Sequence, residues 1–337
     1  MDKQDLQLAA QTILTVNMKF QSGEKAIFVA DIPKPEDWMG SFTLLNKLIQ
    51  RAVITRQIYD QAKELFPDCQ IDFLVFATTG QNGTEPPHEV AVKLLDYDVV
   101  LLMTSYSLTH TDACLNACMK GARVASMPNF EEGIFLPGGP MLADYEVICK
   151  ITNQWADKMT TCIQVHILTS IGTDLTFSIE GREGESEHGL YHHKGEWGNL
   201  PAGEACIAPV EGTANGRLVV PSGWYMDLKD DMVLEFNNGY VTSLMGGGEV
   251  GNRFRNLFRF GEEEFRHRRN CAELGIGTNP NAKNAKNVLE AEKILGTIHI
   301  AVGDSSHMHG MTVSDIHEDF IIPDPVVYFD RKKVMGI

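Results

Sequence analysis

EKILGTIHIAVGDSSHMHGMTVSDIHED, Glu292 to Asp319, holds four of the chain's eleven histidines, His299, His307, His309 and His317, with Asp304, Asp315, Glu318 and Asp319 among them. That density of imidazole and carboxylate asks for a metal or an acid/base centre. TIHIAVG reads as an apolar strand with His299 inside it, and Ser314, His317 and Asp319 form an S-x-x-H-x-D pattern. In an extended segment alternate residues share a face, so His317 and Asp319 should point one way and Glu318 the other. One strand could then give two ligands to one ion, although an isolated H-x-D also fits a solvated polar loop.

Two further clusters lie upstream. Glu204 in NLPAGEACIAP ends a Pro/Gly turn and enters an apolar strand. Glu273 in CAELGIGTNP sits between apolar residues, where an ionised carboxylate is costly unless it meets a cation. His299 by itself also reads as a core histidine with a hydrogen-bond partner. Taken together, these imidazoles and carboxylates form a mixed N/O donor set suited to Zn, Co, Mn or Fe(II).

The sequence around this second half has a β texture. QVHILTS, TDLTFSI, EACIAPV, GRLVVPS and MVLEFNNGYVTSL are short apolar or alternating runs separated by Gly, Pro and Asn. Asn237, Asn238 and Gly239 predict a hairpin, because Asn-Gly suits the tight two-residue turn. Helices are expected over 281–296 and, unless a strand–loop mixture stands there, over 251–269. His188, His192 and His193 read as an exposed, glycine-spaced flap. Arg253, Arg255, Arg259, Arg266, Arg268 and Arg269 alternate with Phe254, Phe258, Phe260 and Phe265, and with Glu262, Glu263 and Glu264 inserted they read as a solvated face.

The first half alternates differently. Helices over 5–18, 41–65, after Pro87 and over 111–120 separate the strands AIFVAD, IDFLVFA, DVVLLM and ARVASM, and a further helix runs to about Lys158. This predicts a mainly parallel sheet covered on both faces. Residues 1–158 are therefore expected to form an α/β open-sheet domain, and residues 159–337 an α+β metal-binding catalytic domain with antiparallel strands. Neither G-x-G-x-x-G nor a Walker sequence occurs, and Ser105 and Cys114 lack a nucleophile context. Thr78 to Gly80 and Thr104 to Tyr106 are strand ends that could line a crevice.

Composition bounds the remaining classes. The chain has 337 residues, 43% hydrophobic content and a net charge of -16, with a pI near 5.1. Nucleic-acid and anionic-membrane surfaces normally need basic patches, so neither partner is expected. Seven scattered cysteines make no disulfide framework. No run approaches membrane-spanning length and the N-terminus reads as no secretion signal, which predicts a cytoplasmic protein.

The order NLPAGEACIAPVEGTANG, AELGIGTNP, HIAVG, SDIHEDF resembles the thermophilic aminopeptidase T (leucyl aminopeptidase-like) metallopeptidase family from about Ile163 onward, and in general plan before it. The resemblance implies a two-metal centre that activates water against a peptide bond. By position it implicates Glu204, Glu273, His299, His317 and Asp319 as ligands, and Glu211 falls in a shared motif. Where those peptidases carry a glutamate and a tyrosine, this chain has Ile294 and Ser306. Its length suits a related branch, the 2,5-dihydroxypyridine dioxygenases, which the resemblance places on the same scaffold around one Fe(II). The peptidase-like Glu273 and His299 favour a hydrolase of a peptide or small amide, with Glu204 shuttling the proton and His309 as a second catalytic candidate. The dioxygenase alternative uses His299, His317 and either Glu273 or Asp319. A small-molecule or peptide substrate and a homodimer are expected.

Overall fold

The computed structural model describes residues 1–336. By its internal contacts the chain divides into two compact units, residues 1–146 with 189–202, and residues 147–188 with 203–337. In the first unit five parallel strands lie in the order Gln70–Ala77, Lys25–Ile32, Val99–Met103, Arg123–Ser126 and Trp197–Asn199. The central strand Val99–Met103 is buried throughout, as an all-apolar run covered on both faces must be. The helix Phe42–Leu65 buries Leu48, Arg51, Thr55, Ile58 and Ala62, a stripe at helical spacing. Thr111 caps the helix Asp112–Met119 by accepting from the Cys114 amide. The parallel sheet expected from the alternating pattern is present.

The second unit contains two antiparallel sheets. Seven strands run in the order Tyr240–Gly246, Met232–Asn237, Asn215–Val220, Asp174–Ser178, Gln164–Leu168, Val326–Phe329 and Lys332–Met335. Five others run His317–Ile322, Ile298–Gly303, Cys271–Gly277, Glu204–Ile207 and Glu185–Glu187. One apolar core takes Val165, Leu175, Leu218 and Leu234 from the larger sheet and Ile207, Leu274, Ile300 and Phe320 from the smaller. The smaller sheet thus spends one face on the core and keeps the other for chemistry.

Three expectations need correction. The expected exposed flap around 188–193 is largely covered, with Gly189, Leu190 and Tyr191 buried; the segment 189–202 belongs to the first unit, and its strand Trp197–Asn199 pairs in parallel with Arg123–Ser126. The helix expected over 281–296 shrinks to Val288–Ala291. Asn279, Asn284 and Asn287 each accept a nearby backbone amide, and the Glu290 carboxylate accepts those of Lys283 and Asn284, so side chains take donors a helix would have used. In the arginine-rich segment the helix Gly248–Phe258 stops at Arg259, which is left-handed, and a 3-10 helix Glu263–Arg269 follows. Arg253, Arg259 and Arg266 are exposed, in keeping with a solvated face, while Arg268 pairs with Asp315 and, like Arg259, stacks on Phe265.

Candidate metal centre

The register of the five-stranded sheet decides which side chains meet. Residues directly opposite one another in antiparallel strands share a face. Asp319 lies opposite Ala301, which lies opposite Glu273; Ile321 lies opposite His299, which lies opposite Gly275. Glu204 stands opposite Gly277 on one side and Glu187 on the other. His317, Asp319, His299, Glu273, Glu204 and Glu187 therefore occupy one face, spread over five strands. The intervening Leu274, Ile276, Ile298, Ile300, Phe320 and Ile322 fill the core. Glu318 points to the other face as the alternation requires, where it accepts from the Tyr225 hydroxyl at 2.8 Å.

Small residues make room on the polar face. A Cβ on Gly275 would lie 1.9 Å from His299 Cε1, so the His299 ring occupies the space that any side chain at 275 would need. His299 Nε2 comes 3.1 Å from Glu273 Oε1, and His317 Nε2 comes 2.9 Å from Glu273 Oε2. Asp319 Oδ1 lies 3.4 Å from His317 Nε2. His317 Nδ1 is 2.7 Å from the Asp304 carbonyl oxygen, which only an N–H can satisfy. This places a proton on Nδ1 and leaves Nε2 facing the carboxylates, an outer-shell arrangement usual for metal-binding histidines.

The donors form two overlapping groups within 4.8 Å, Glu273 with His307 and His317, and Glu273 with His299 and Asp319. His307 joins through the loop after Gly303, with its ring 4.8 Å from that of His317 and Nδ1 2.8 Å from Asp304 Oδ2. Glu204 is absent from both groups. Its Oε1 accepts from Lys293 Nζ at 2.6 Å, while Oε2 has no hydrogen-bond partner among the described residues and faces His299 Nε2 at 3.7 Å. His309 lies exposed beyond His307 and enters neither group.

Electrostatics shows what the cluster lacks. Burial alone would lower the imidazole of His299, but Glu273 and Glu204 outweigh it and raise the group to about 10. Burial likewise opposes the charged form of His317, and Asp319 and Glu273 lift it well above its ordinary value. Burial works to raise Glu273, yet the two imidazoles hold it far below the usual carboxylate range. Glu204 is pushed up by burial to about 7, against the pull of Lys293 and His299. Five buried or half-buried carboxylates, Glu187, Glu204, Glu273, Glu292 and Asp319, thus surround one ammonium and two imidazoles, and the imidazoles are drawn toward their cationic forms.

These residues fit a divalent ion. Asp319 Oδ1 and Glu204 Oε2 are buried without a hydrogen-bond partner among the described residues, and unsatisfied buried acceptors are costly. A 2+ ion between the imidazole Nε2 atoms and the carboxylates would supply the missing charge.

Three participants were not singled out from the sequence as parts of this site. Lys293 is wholly buried, yet a lysine in EAEKIL looks like the exposed side of a helix. Glu187 was hidden beside the more conspicuous His188. Asp304 acts on His317 through its backbone, which no side-chain pattern reveals. Glu211 has a defined part as well: it accepts from Arg182 and from the Met311 amide, and Arg182 also donates to the His309 carbonyl. Together they pin the loop that carries His307.

Comparison with known proteins gives the same scaffold two names. The family model described as 2,5-dihydroxypyridine 5,6-dioxygenase matches residues 68–336. A 2,5-dihydroxypyridine 5,6-dioxygenase of Pseudomonas putida KT2440 is 22% identical over 185 residues, covering 51% of this chain. That match spans about half of the relative's length, 52%. The solved structure of 2,5-dihydroxypyridine dioxygenase from the same organism superposes with a TM-score of 0.75 at 14% identity, over 100% of this chain and 96% of that one. Wild-type AmpT from Thermus thermophilus superposes with a TM-score of 0.62 at 13% identity, over 99% and 98% of the two chains. At such identities the structural likenesses describe fold alone. The expectation of an aminopeptidase-like hydrolase is overturned by the family match; it had leaned on Glu273 and His299, which belong to a scaffold found with both names.

Proposed function

The chain belongs to the 2,5-dihydroxypyridine 5,6-dioxygenase family, and on that premise we propose that it is a metal-dependent dioxygenase that opens a dihydroxylated aromatic ring, with a dihydroxypyridine as the first substrate to try. The observation that carries this reading is the convergence of two imidazole Nε2 atoms on one buried carboxylate, Glu273, at 3.1 and 2.9 Å. Two histidines and one carboxylate are a donor set suited to non-haem Fe(II), with positions left open for substrate and O2. In this protein His299, His317 and either Glu273 or Asp319 would hold it. Fe(II) held there would supply the redox chemistry that lets O2 react with an electron-rich ring.

The chain's own residues do the rest. The Asp304 carbonyl keeps the Nδ1 proton of His317 in place, so the ring presents Nε2 to the ion in one orientation. His307, oriented by the Asp304 carboxylate, is the group placed to take a proton from a ring hydroxyl. Glu204 balances His299 on one side and Lys293 on the other. Arg182 and Glu211 keep the His307 loop against the sheet.

The test is direct. Protein loaded anaerobically with Fe(II) and mixed with 2,5-dihydroxypyridine or a dihydroxybenzene should take up one O2 per ring opened, read with an oxygen electrode and by loss of ring absorbance. Absence of uptake across such a panel, with iron bound, would reject the assignment.

A further inference from the structure

Lys293 is 0% exposed, and its ammonium meets three carboxylates: Glu187 Oε2 at 2.6 Å, Glu204 Oε1 at 2.6 Å and Glu292 Oε2 at 3.1 Å. An ammonium has three N–H donors and no acceptor, so these oxygens satisfy it completely. Its backbone is fixed too, the carbonyl accepting from the Asn279 amide at 2.8 Å and the amide donating to the Glu290 carbonyl at 3.1 Å. Glu204 connects this cluster to the imidazoles, with one oxygen on Lys293 and the other facing His299. A carboxylate placed between two cations in this way is what a two-ion centre would use as its bridge.

We propose that Lys293 is a positioning residue that serves as a built-in cation in the second half of the acidic face, so that Glu187, Glu204 and Glu292 are held by an ammonium and the face accepts one divalent ion. This rests on the reading of the imidazole group as a metal site. A second ion entering here would need the same three oxygens, and it would have to displace a fully buried charge that already satisfies them. Burial alone would push the Lys293 amine down, but the three carboxylates outweigh it and keep the group charged. Glu204 is thereby drawn to the ammonium, which leaves Glu273, His299, His317 and Asp319 as the set around a single ion.

Mn(II) titration of metal-free protein, with bound metal counted after equilibrium dialysis and its EPR spectrum recorded, separates the possibilities. The wild type should saturate at one ion per chain with the spectrum of an isolated Mn(II). Lys293→Ala, prepared with Mn(II) present, should take up a second ion and show a spin-coupled pair. Removal of a buried ammonium can unfold a chain, so Lys293→Met, which keeps the bulk of the side chain and all three carboxylates, carries the same comparison, and the wild-type titration stands without either. Two ions in the wild type, or one in a folded Lys293 variant, would overturn this proposal and leave the metal site standing. No Mn(II) bound by the wild type would overturn the metal site and this inference with it.

Discussion

At the scale of single residues, His317 and Gly275 make opposite demands on the same ion. His317 is used at both ring nitrogens, Nδ1 on the Asp304 carbonyl and Nε2 toward Glu273. Its side chain is 23% exposed, so His317→Ala should abolish metal binding, by metal analysis, and cost no more than about 1 kcal/mol of stability in urea melts. Retention of full metal content by that variant would reject the site. Gly275→Ala adds one methyl at 1.9 Å from the His299 ring. The ring must swing away, and affinity for the ion should fall at least about tenfold, or about 1.4 kcal/mol, in a competition titration with a chelator; unchanged affinity would mean that His299 is not a ligand. Glu273 and His299 stand out in the sequence because a polar residue inside an apolar run advertises a buried partner, and His317 and Asp319 because alternate residues of a strand share a face. Their grouping around Glu273 comes from the sheet register. Lys293 does not stand out, because a lysine among Glu, Ala and Leu carries the signature of an exposed helix. Its burial arises from Glu187, Glu204 and Glu292, and two of those lie on distant strands.

At the scale of elements, turn chemistry and alternation held where backbone groups had no competing partner. The Asn238–Gly239 turn joins Met232–Asn237 to Tyr240–Gly246, with Asn238 at φ 48° and Gly239 at φ 86°. A Cβ on Gly239 would also lie 2.4 Å from the Gly212 amide nitrogen. Gly239→Ala should therefore destabilise the protein by about 1–3 kcal/mol, measured by urea unfolding, and a neutral result would show that the turn relaxes freely. The expectation for 281–296 failed for the converse reason. Its apolar spacing is helical, but side-chain oxygens of Asn279, Asn284 and Glu290 reach backbone amides locally and keep the helix from starting before Asn287, which caps the short Val288–Ala291. Trp197–Asn199 went unseen because its three residues are too short to show a period, and its partner strand is far away in sequence.

At the scale of the whole molecule, the second unit uses the larger sheet and one face of the smaller to build a core, and that leaves four carboxylates crowded with imidazoles on the remaining face. An ion that binds only the folded chain stabilises it by mass action, about 2.7 kcal/mol at a free concentration of 100 times the dissociation constant. Chelation should accordingly lower the melting temperature of wild-type protein and leave that of His317→Ala unchanged; equal shifts in both would place the ion elsewhere. Among the described residues no helix is long and apolar enough to cross a membrane. The central claim is that the metal of a ring-opening oxygenase sits on this one face of the five-stranded sheet. The measurement that tests it most directly is an anomalous difference map, recorded at the iron edge, from crystals loaded with Fe(II). A single peak per chain among His299 Nε2, His317 Nε2 and the carboxylates of Glu273 and Asp319 is the predicted result, and iron at any other place, or none, would contradict it.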